Sequence, residues 1–117
     1  MKIKVFFNNS CSVCRKEINH YKNVCNDSFN WIDINNNKKA IELTSKSYRD
    51  LLRRIHVIEK NKVISGADAF LVIWKNIPRY NFLYRIFKNK LLFHLFHLIY
   101  EIVAFLLFIK NKHLLKN

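Results

Sequence analysis

Short apolar runs and amphipathic stretches alternate along the first 79 residues of the chain. Ile3–Phe7 is an apolar run of the kind that forms a buried strand. Residues 11–25 follow it and repeat their apolar positions at helical spacing, which predicts an amphipathic helix. The apolar face of that helix consists of Cys14, Ile18, Tyr21 and Cys25.

The next segments continue the alternation of strands and helices. Residues 29–34 predict a second strand, and two short helices are expected near 38–45 and 47–53. Residues 55–59 and 62–65 predict a hairpin that turns at Lys60 and Asn61. A helix starts at Gly66 and ends at Pro78, which cannot continue it.

The order strand, helix, strand, helix, hairpin, helix predicts an α/β fold of the thioredoxin-like type. One βαβ unit and one ββα unit would share a four-stranded mixed sheet, with additional C-terminal helices. The right-handed crossover rule places the first helix and the helix after the hairpin on the same face of that sheet. We therefore interpret residues 1–79 as a thioredoxin-like core and residues 80–117 as a helical extension.

The extension is basic and aromatic, and residues 91–109 are long and apolar enough to suggest a membrane span. A stripe of Lys90, His94, His97 and Glu101 interrupts this apolar surface at helical spacing. Such a helix docks on its own domain, pairs with a second copy in a homodimer, or lies flat on a membrane surface. The pattern alone leaves these three arrangements open.

The chain carries 21 Lys and Arg against 8 Asp and Glu, a formal charge of +13. This charge is typical of proteins that meet nucleic acid, anionic lipid or acidic proteins. A compositional bias explains it equally, because Asn and Ile are abundant alongside Lys. No basic block is interleaved with aromatic residues, so a nucleic-acid partner is not expected.

Three cysteines are too few, and odd in number, for a disulfide-stapled secreted domain. The start Met1–Lys4 leads into only a few apolar residues, so no signal peptide is expected. These features predict a cytoplasmic protein, with peripheral membrane contact through residues 91–109 as a further expectation. In a reducing compartment a cysteine pair cycles or binds metal.

Cys11 and Cys14 form a Cys-x-x-Cys pair between the first predicted strand and the first predicted helix. A helix start offers unpaired N–H groups and the positive end of the dipole, which stabilise a thiolate. We expect Cys11 to be the more exposed, nucleophilic sulfur and Cys14 to resolve the mixed disulfide from the buried face. Asn9 or Ser10 is the expected N-cap. Cys25 lies about 16 Å further along the helix, out of disulfide reach.

Four other residues are candidates for supporting the pair. Arg15 adds positive charge that favours the thiolate. Arg54 either brings a guanidinium near the sulfurs or is a solvated arginine at a strand edge. His56 is either a proton shuttle or a hydrogen-bonded core histidine. Asp33 either takes the proton of the second thiol during resolution or caps the following helix.

Zinc binding is the main alternative for the cysteine pair. With His94 and His97 the pair would provide four potential zinc ligands. The spacing of these histidines from Cys11 and Cys14 matches no familiar zinc finger. We therefore expect no metal and no cofactor.

The chain resembles the DCC family of predicted thiol-disulfide oxidoreductases, which is named for an Asp-x-x-Cys-x-x-Cys motif. The resemblance is carried by residues 5–15, 54–57, 64–70 and 74–78, with Tyr100 and Ala104 in the family's closing helix. It implies a thioredoxin-like fold and a redox activity. The family usually has Asp-Gly before the pair, where this chain has Asn8-Asn9. Asn8 cannot accept a proton, but it can form turn hydrogen bonds.

These features together predict a thiol-disulfide oxidoreductase that acts through Cys11 and Cys14. Its partner would be a thiol or disulfide protein, or a small-molecule substrate, that the sequence does not identify. The alternative is a non-catalytic interaction module that uses its basic, aromatic C-terminal helix to bind a membrane or a protein.

Overall fold

The structure, a computed structural model, describes residues 3–24 and 29–112. Its strands are β1 (Ile3–Phe7), β2 (Phe29–Asp33), β3 (His56–Glu59) and β4 (Lys62–Ser65). Its helices are α1 (Ser12–Val24), α2 (Lys38–Thr44), α3 (Tyr48–Arg53), α4 (Ala67–Lys75), α5 (Asn81–Phe87) and α6 (Lys90–Asn111), with a 3-10 turn at Pro78–Tyr80. The elements follow the predicted order. Cys25 lies outside the described residues.

The strands form one mixed sheet in the order β2-β1-β3-β4. Strand β1 pairs in parallel with β2 and antiparallel with β3, and β3 and β4 form a hairpin. The hairpin turns at Lys60 and Asn61, whose φ angles of 51° and 65° suit a two-residue turn that matches strand twist. The predicted thioredoxin-like α/β fold is confirmed.

Side chains from the two faces of the sheet build two separate clusters. On one face Val5 and Val57 pack against α1 and α4, through Ile18 and Ile73 among others. The other face packs against α2 and α3, through Phe6, Ile34, Ala40, Leu51 and Leu52. Helices α1 and α4 therefore lie on the same face, as the crossover rule predicts.

Helix α6 reaches both clusters. Near its start, Phe96 packs on Trp74 with ring centroids 5.2 Å apart, and near its end Phe108 joins the cluster under α3. Between them, Glu101 pairs with Arg54 at 2.6 Å, and the Tyr100 hydroxyl accepts a hydrogen bond from the Ile55 amide at 3.0 Å. Helix α6 is thus docked on the rest of the chain. The division at residue 79 stays a prediction.

The opposite side of α6, which we call the outer face, is apolar and exposed. Its side chains are Leu91, Leu95, Leu98, Ile102, Phe105, Leu106 and Ile109, each about half exposed or more. Among the described residues, α6 is the one helix long and apolar enough to cross a membrane. The sequence pattern alone did not indicate which side of this helix packs inward.

Candidate active site

The loop after β1 holds the cysteine pair in place through Asn8, which is buried. The Asn8 side-chain oxygen accepts hydrogen bonds from the Ser10 amide at 3.0 Å and from the Asn35 side chain at 2.8 Å. Its backbone carbonyl accepts one from the Cys11 amide at 3.3 Å. Asn8 therefore forms the turn hydrogen bonds expected of it, and it shapes the approach to the helix.

Cys11 occupies the residue position before α1 and caps the helix with its own sulfur. Its carbonyl accepts a hydrogen bond from the Arg15 amide at 2.8 Å, and its Sγ accepts one from the Cys14 amide at 3.4 Å. The predicted N-cap at Asn9 or Ser10 is wrong. An N-cap acceptor bonds the amide two or three residues later, and Cys11 meets that condition.

The surroundings of Cys11 favour its thiolate. Burial raises the pKa of Cys11, but hydrogen bonds from the Cys14 thiol and amide, the Asn111 side chain and the Val13 amide outweigh this effect. The net result is a pKa below the ordinary value of a thiol. Hydrogen bonds to a charged form stabilise it, which is the cause here.

Cys14 is shifted the opposite way. Burial raises the pKa of Cys14, and its hydrogen bond to Cys11 and the negative charges of Cys11 and Glu17 raise it further. A thiol that donates to a neighbouring thiolate keeps its own proton, because losing it would place two negative charges together. Of the two sulfurs, Cys11 therefore loses its proton first.

The prediction that Cys11 is the more exposed sulfur is wrong. Cys11 is 1% exposed, whereas Cys14 is half-buried. The end of α6 explains the difference, because Asn111 is buried there and its side chain helps to lower the pKa of Cys11. The Asn111 amide is held in turn by the Leu107 carbonyl at 2.8 Å. Asn111 is 100 residues from Cys11 in sequence, so the sequence carries no signal for this contact.

Glu17 is the carboxylate that acts on Cys14, and the sequence reasoning missed it. Although Glu17 is an exposed residue, burial around its carboxylate raises its pKa. The Tyr21 hydroxyl donates to Glu17 Oε1 at 3.0 Å, and Trp74 Nε1 donates to the Tyr21 hydroxyl at 3.1 Å. The spacing of three residues from Cys14 on a helix was the available signal.

Asp33 does not cap α2, which corrects one of its two predicted roles, and its role as a proton acceptor stays a prediction. Its Oδ1 accepts hydrogen bonds from the Asn9 amide at 3.1 Å and the Asn35 amide at 3.2 Å, which ties the two loops together. The cap of α2 is Asn37, whose side chain accepts from the Ala40 amide at 3.2 Å.

The Arg54 guanidinium is paired with the Glu101 carboxylate, so Arg54 is not a solvated arginine at a strand edge. Its Nε and Nη2 donate to both carboxylate oxygens of Glu101, at distances of 2.6 to 3.3 Å. This bidentate pair fastens α6 to the segment before β3. Arg54 therefore stabilises the position of α6, the helix that covers Cys11, through Glu101.

The remaining candidates lie apart from the sulfurs. His56 is buried, and its Nδ1 donates to the Arg54 carbonyl at 2.9 Å, which is the arrangement of a hydrogen-bonded core histidine. Burial lowers the pKa of His56. Arg15 is exposed and donates to the Asn9 carbonyl at 3.4 Å.

Metal ligands do not gather around the pair. In residues 3–24 and 29–112, no group of three or more His, Cys, Asp and Glu side chains is placed to hold a metal ion. His94 is exposed on α6, and His97 stacks on Phe93 with ring centroids 6.2 Å apart.

A mixed four-stranded sheet whose first helix begins at a Cys-x-x-Cys pair defines a thioredoxin-like α/β protein with a paired-thiol site. The model of the DCC1-like thiol-disulfide oxidoreductase family matches residues 5–108, so the chain belongs to that family. This confirms the resemblance read from the sequence. No curated protein and no solved structure matches the chain.

Proposed function

We propose that this protein is a thiol-disulfide oxidoreductase in which Cys11 is the nucleophile and Cys14 the resolving thiol. The observation that carries the proposal is the hydrogen bond from the Cys14 amide to Cys11 Sγ at 3.4 Å, in a pair whose two pKa values are shifted in opposite directions. Only the thiolate attacks a disulfide, so the direction of each shift assigns each role.

The reaction begins with displacement of Asn111 from the buried Cys11, whose thiolate then attacks one sulfur of a substrate disulfide. A bond forms between Cys11 and that sulfur, the substrate disulfide breaks, and the other substrate sulfur leaves as a thiolate that takes a proton from water. Neutralising Cys11 removes a negative charge beside Cys14, which is one cause of its raised pKa. Cys14 is then easier to deprotonate.

Resolution follows when Cys14 gives its proton to the Glu17 carboxylate and attacks Cys11 Sγ. The intramolecular disulfide forms as the second substrate sulfur leaves, so the substrate is reduced by two electrons and the pair is oxidised. A carboxylate of raised pKa suits this step, because proton transfer is most efficient when acid and base are closely matched.

Reduction of insulin by dithiol-recycled protein tests the proposal. Cys11→Ser abolishes turnover, and Cys14→Ser retains the first step and accumulates a mixed disulfide that mass spectrometry detects. Glu17→Gln slows the second step without changing the first. Ser12→Ala, at the exposed residue between the sulfurs, is the matched control and keeps its turnover. Undiminished turnover in Cys11→Ser would refute the mechanism.

We propose as a second function that the outer face of α6 docks on an anionic membrane surface. The supporting observation is the exposure of its apolar side chains, for example 69% at Leu91 and 62% at Ile102. Exposed lysines lie at both ends of the helix, Lys88 and Lys90 at one end and Lys110 and Lys112 at the other. Apolar area together with basic flanks is what binds a helix in a membrane interface.

Flotation with anionic and with zwitterionic vesicles tests the membrane function. The full chain floats with anionic vesicles, and the double variant Ile102→Glu/Leu106→Glu stays at the bottom while it keeps its insulin reductase activity. The control Ile41→Glu/Leu43→Glu adds the same charges to exposed apolar residues of α2 and still floats. A chain that ignores both vesicle types and sediments as a dimer would assign the outer face to a second copy instead.

A further inference from the structure

A cavity of about 260 Å³ lies between α6 and the core, with Cys14 in its wall. Most of the wall is apolar and aromatic, formed by Ile18, Leu51, Phe70, Trp74, Phe96 and Tyr100. Ile99 and Val103 also line it and are 61% and 47% exposed, so the cavity opens beside the outer face of α6. Apolar cavities of this kind stay dry or take up apolar molecules.

Besides the aromatic residues, five polar residues line the cavity: Asn8, Cys14, Glu17, Arg53 and Arg54. Arg54 is paired with Glu101, and Glu17 accepts from Tyr21. Arg53 differs from them, because its Nη1 is buried and has no hydrogen-bond partner among the residues that the structure describes. Its guanidinium lies over the Phe105 ring, 5.5 Å from the centroid.

A buried guanidinium N–H without a partner is costly, since the group has lost water and gained no acceptor. The Phe105 ring compensates part of the charge but accepts no conventional hydrogen bond. An acceptor in the cavity would remove the penalty after a small rotation of the guanidinium, because Nη1 as placed is closed to a water-sized group. A carboxylate fits best, because it matches both the charge and the planar geometry of the guanidinium.

We propose that this cavity binds a small amphiphile whose carboxylate meets Arg53 and whose apolar body lies against the aromatic wall and Cys14. The volume has room for roughly nine water-sized groups at about 30 Å³ each, which suits a molecule of about ten heavy atoms. Octanoate has this size and charge. The inference concerns binding alone and stands whether or not Cys11 and Cys14 exchange disulfides.

Fluorescence of Trp74 reports on the cavity directly. Trp74 lines the cavity, whereas Trp31 does not and stacks on Tyr21 with ring centroids 6.3 Å apart. In Trp31→Phe the emission therefore comes from Trp74. Titration with octanoate should give a saturable change, with octanol binding more weakly and octylammonium most weakly. The absence of a saturable change with octanoate, or tightest binding of octylammonium, overturns the proposal.

Arg53→Met in the same background tests the carboxylate contact. Octanoate should lose about tenfold in affinity or more, as expected for a hydrogen bond to a charged group, while octanol is unaffected. Arg49→Met is the matched control, because Arg49 is one turn earlier on α3, lies over Phe108 and does not line the cavity. Equal octanoate affinity in Arg53→Met and Arg49→Met overturns the proposal.

Discussion

Helices α1 and α6 flank the same pair of sulfurs but use their apolar residues in opposite ways. Helix α1 turns Ile18 and Tyr21 into the core and leaves Arg15, Lys16 and Lys22 exposed. Helix α6 buries only a narrow strip, which includes Ala104 and Phe108, and exposes most of its apolar side chains. In α1 the apolar residues are the buried ones, so packing in the core accounts for the sequence of that helix. In α6 a broad apolar face is exposed, which indicates a further binding partner.

Substitutions on the packed side and on the outer face of α6 should differ most in their effect on the free energy of unfolding. Phe108→Ala should lower the free energy of unfolding by about 3 kcal/mol, because it leaves a cavity under α3. Ile102→Ala on the outer face should change it by less than about 0.5 kcal/mol. Urea unfolding of both variants measures the difference. A large loss in Ile102→Ala would mean that the outer face is already packed in solution, against a second copy.

A smaller effect concerns the hydrogen bond between Tyr100 of α6 and the core. Burial raises the pKa of Tyr100 from 10.0 to about 12, so between these pH values the unfolded chain has lost a proton that the folded chain keeps. Stability therefore falls as the pH rises above 10, by on the order of 2 kcal/mol for this residue.

Tyr100→Phe should remove that contribution and flatten the fall in stability, measured by urea unfolding between pH 8 and about 11. Some slope should remain, because burial also raises the pKa of Tyr21 on α1. An identical slope in Tyr100→Phe and the parent chain would show that α6 does not bury this hydroxyl in solution.

The smallest effect tests the contact between α6 and the sulfur that caps α1. Asn111→Leu keeps the bulk over Cys11 but removes the side-chain hydrogen bond that helps to lower its pKa. The pKa of Cys11 should rise by about half a unit to one unit, which the pH dependence of its alkylation rate measures. Asn19→Leu, at an exposed residue of α1, should leave the midpoint in place. A midpoint unmoved by Asn111→Leu would mean that α6 contributes nothing to the thiolate.

The sequence alone predicted the strands, the order of the helices, the hairpin at Lys60 and Asn61 and the position of the cysteine pair. These features depend on local periodicity and turn chemistry, which neighbouring residues determine. The family could also be predicted from the sequence, because short local motifs carry the resemblance. Cys11 and Cys14 were recognisable because a strand comes before them and a helix after them.

The tertiary structure decided what surrounds the sulfurs. Asn111 covers Cys11, Arg54 pairs with Glu101 rather than with a thiolate, and Asp33 ties two loops together. Each of these contacts either joins residues far apart in the chain or involves a residue that has several possible partners nearby. Local sequence pattern does not determine contacts of either kind. Local pattern says which face of a helix is apolar, but only packing says which face meets the core, because α6 has apolar residues on nearly every side.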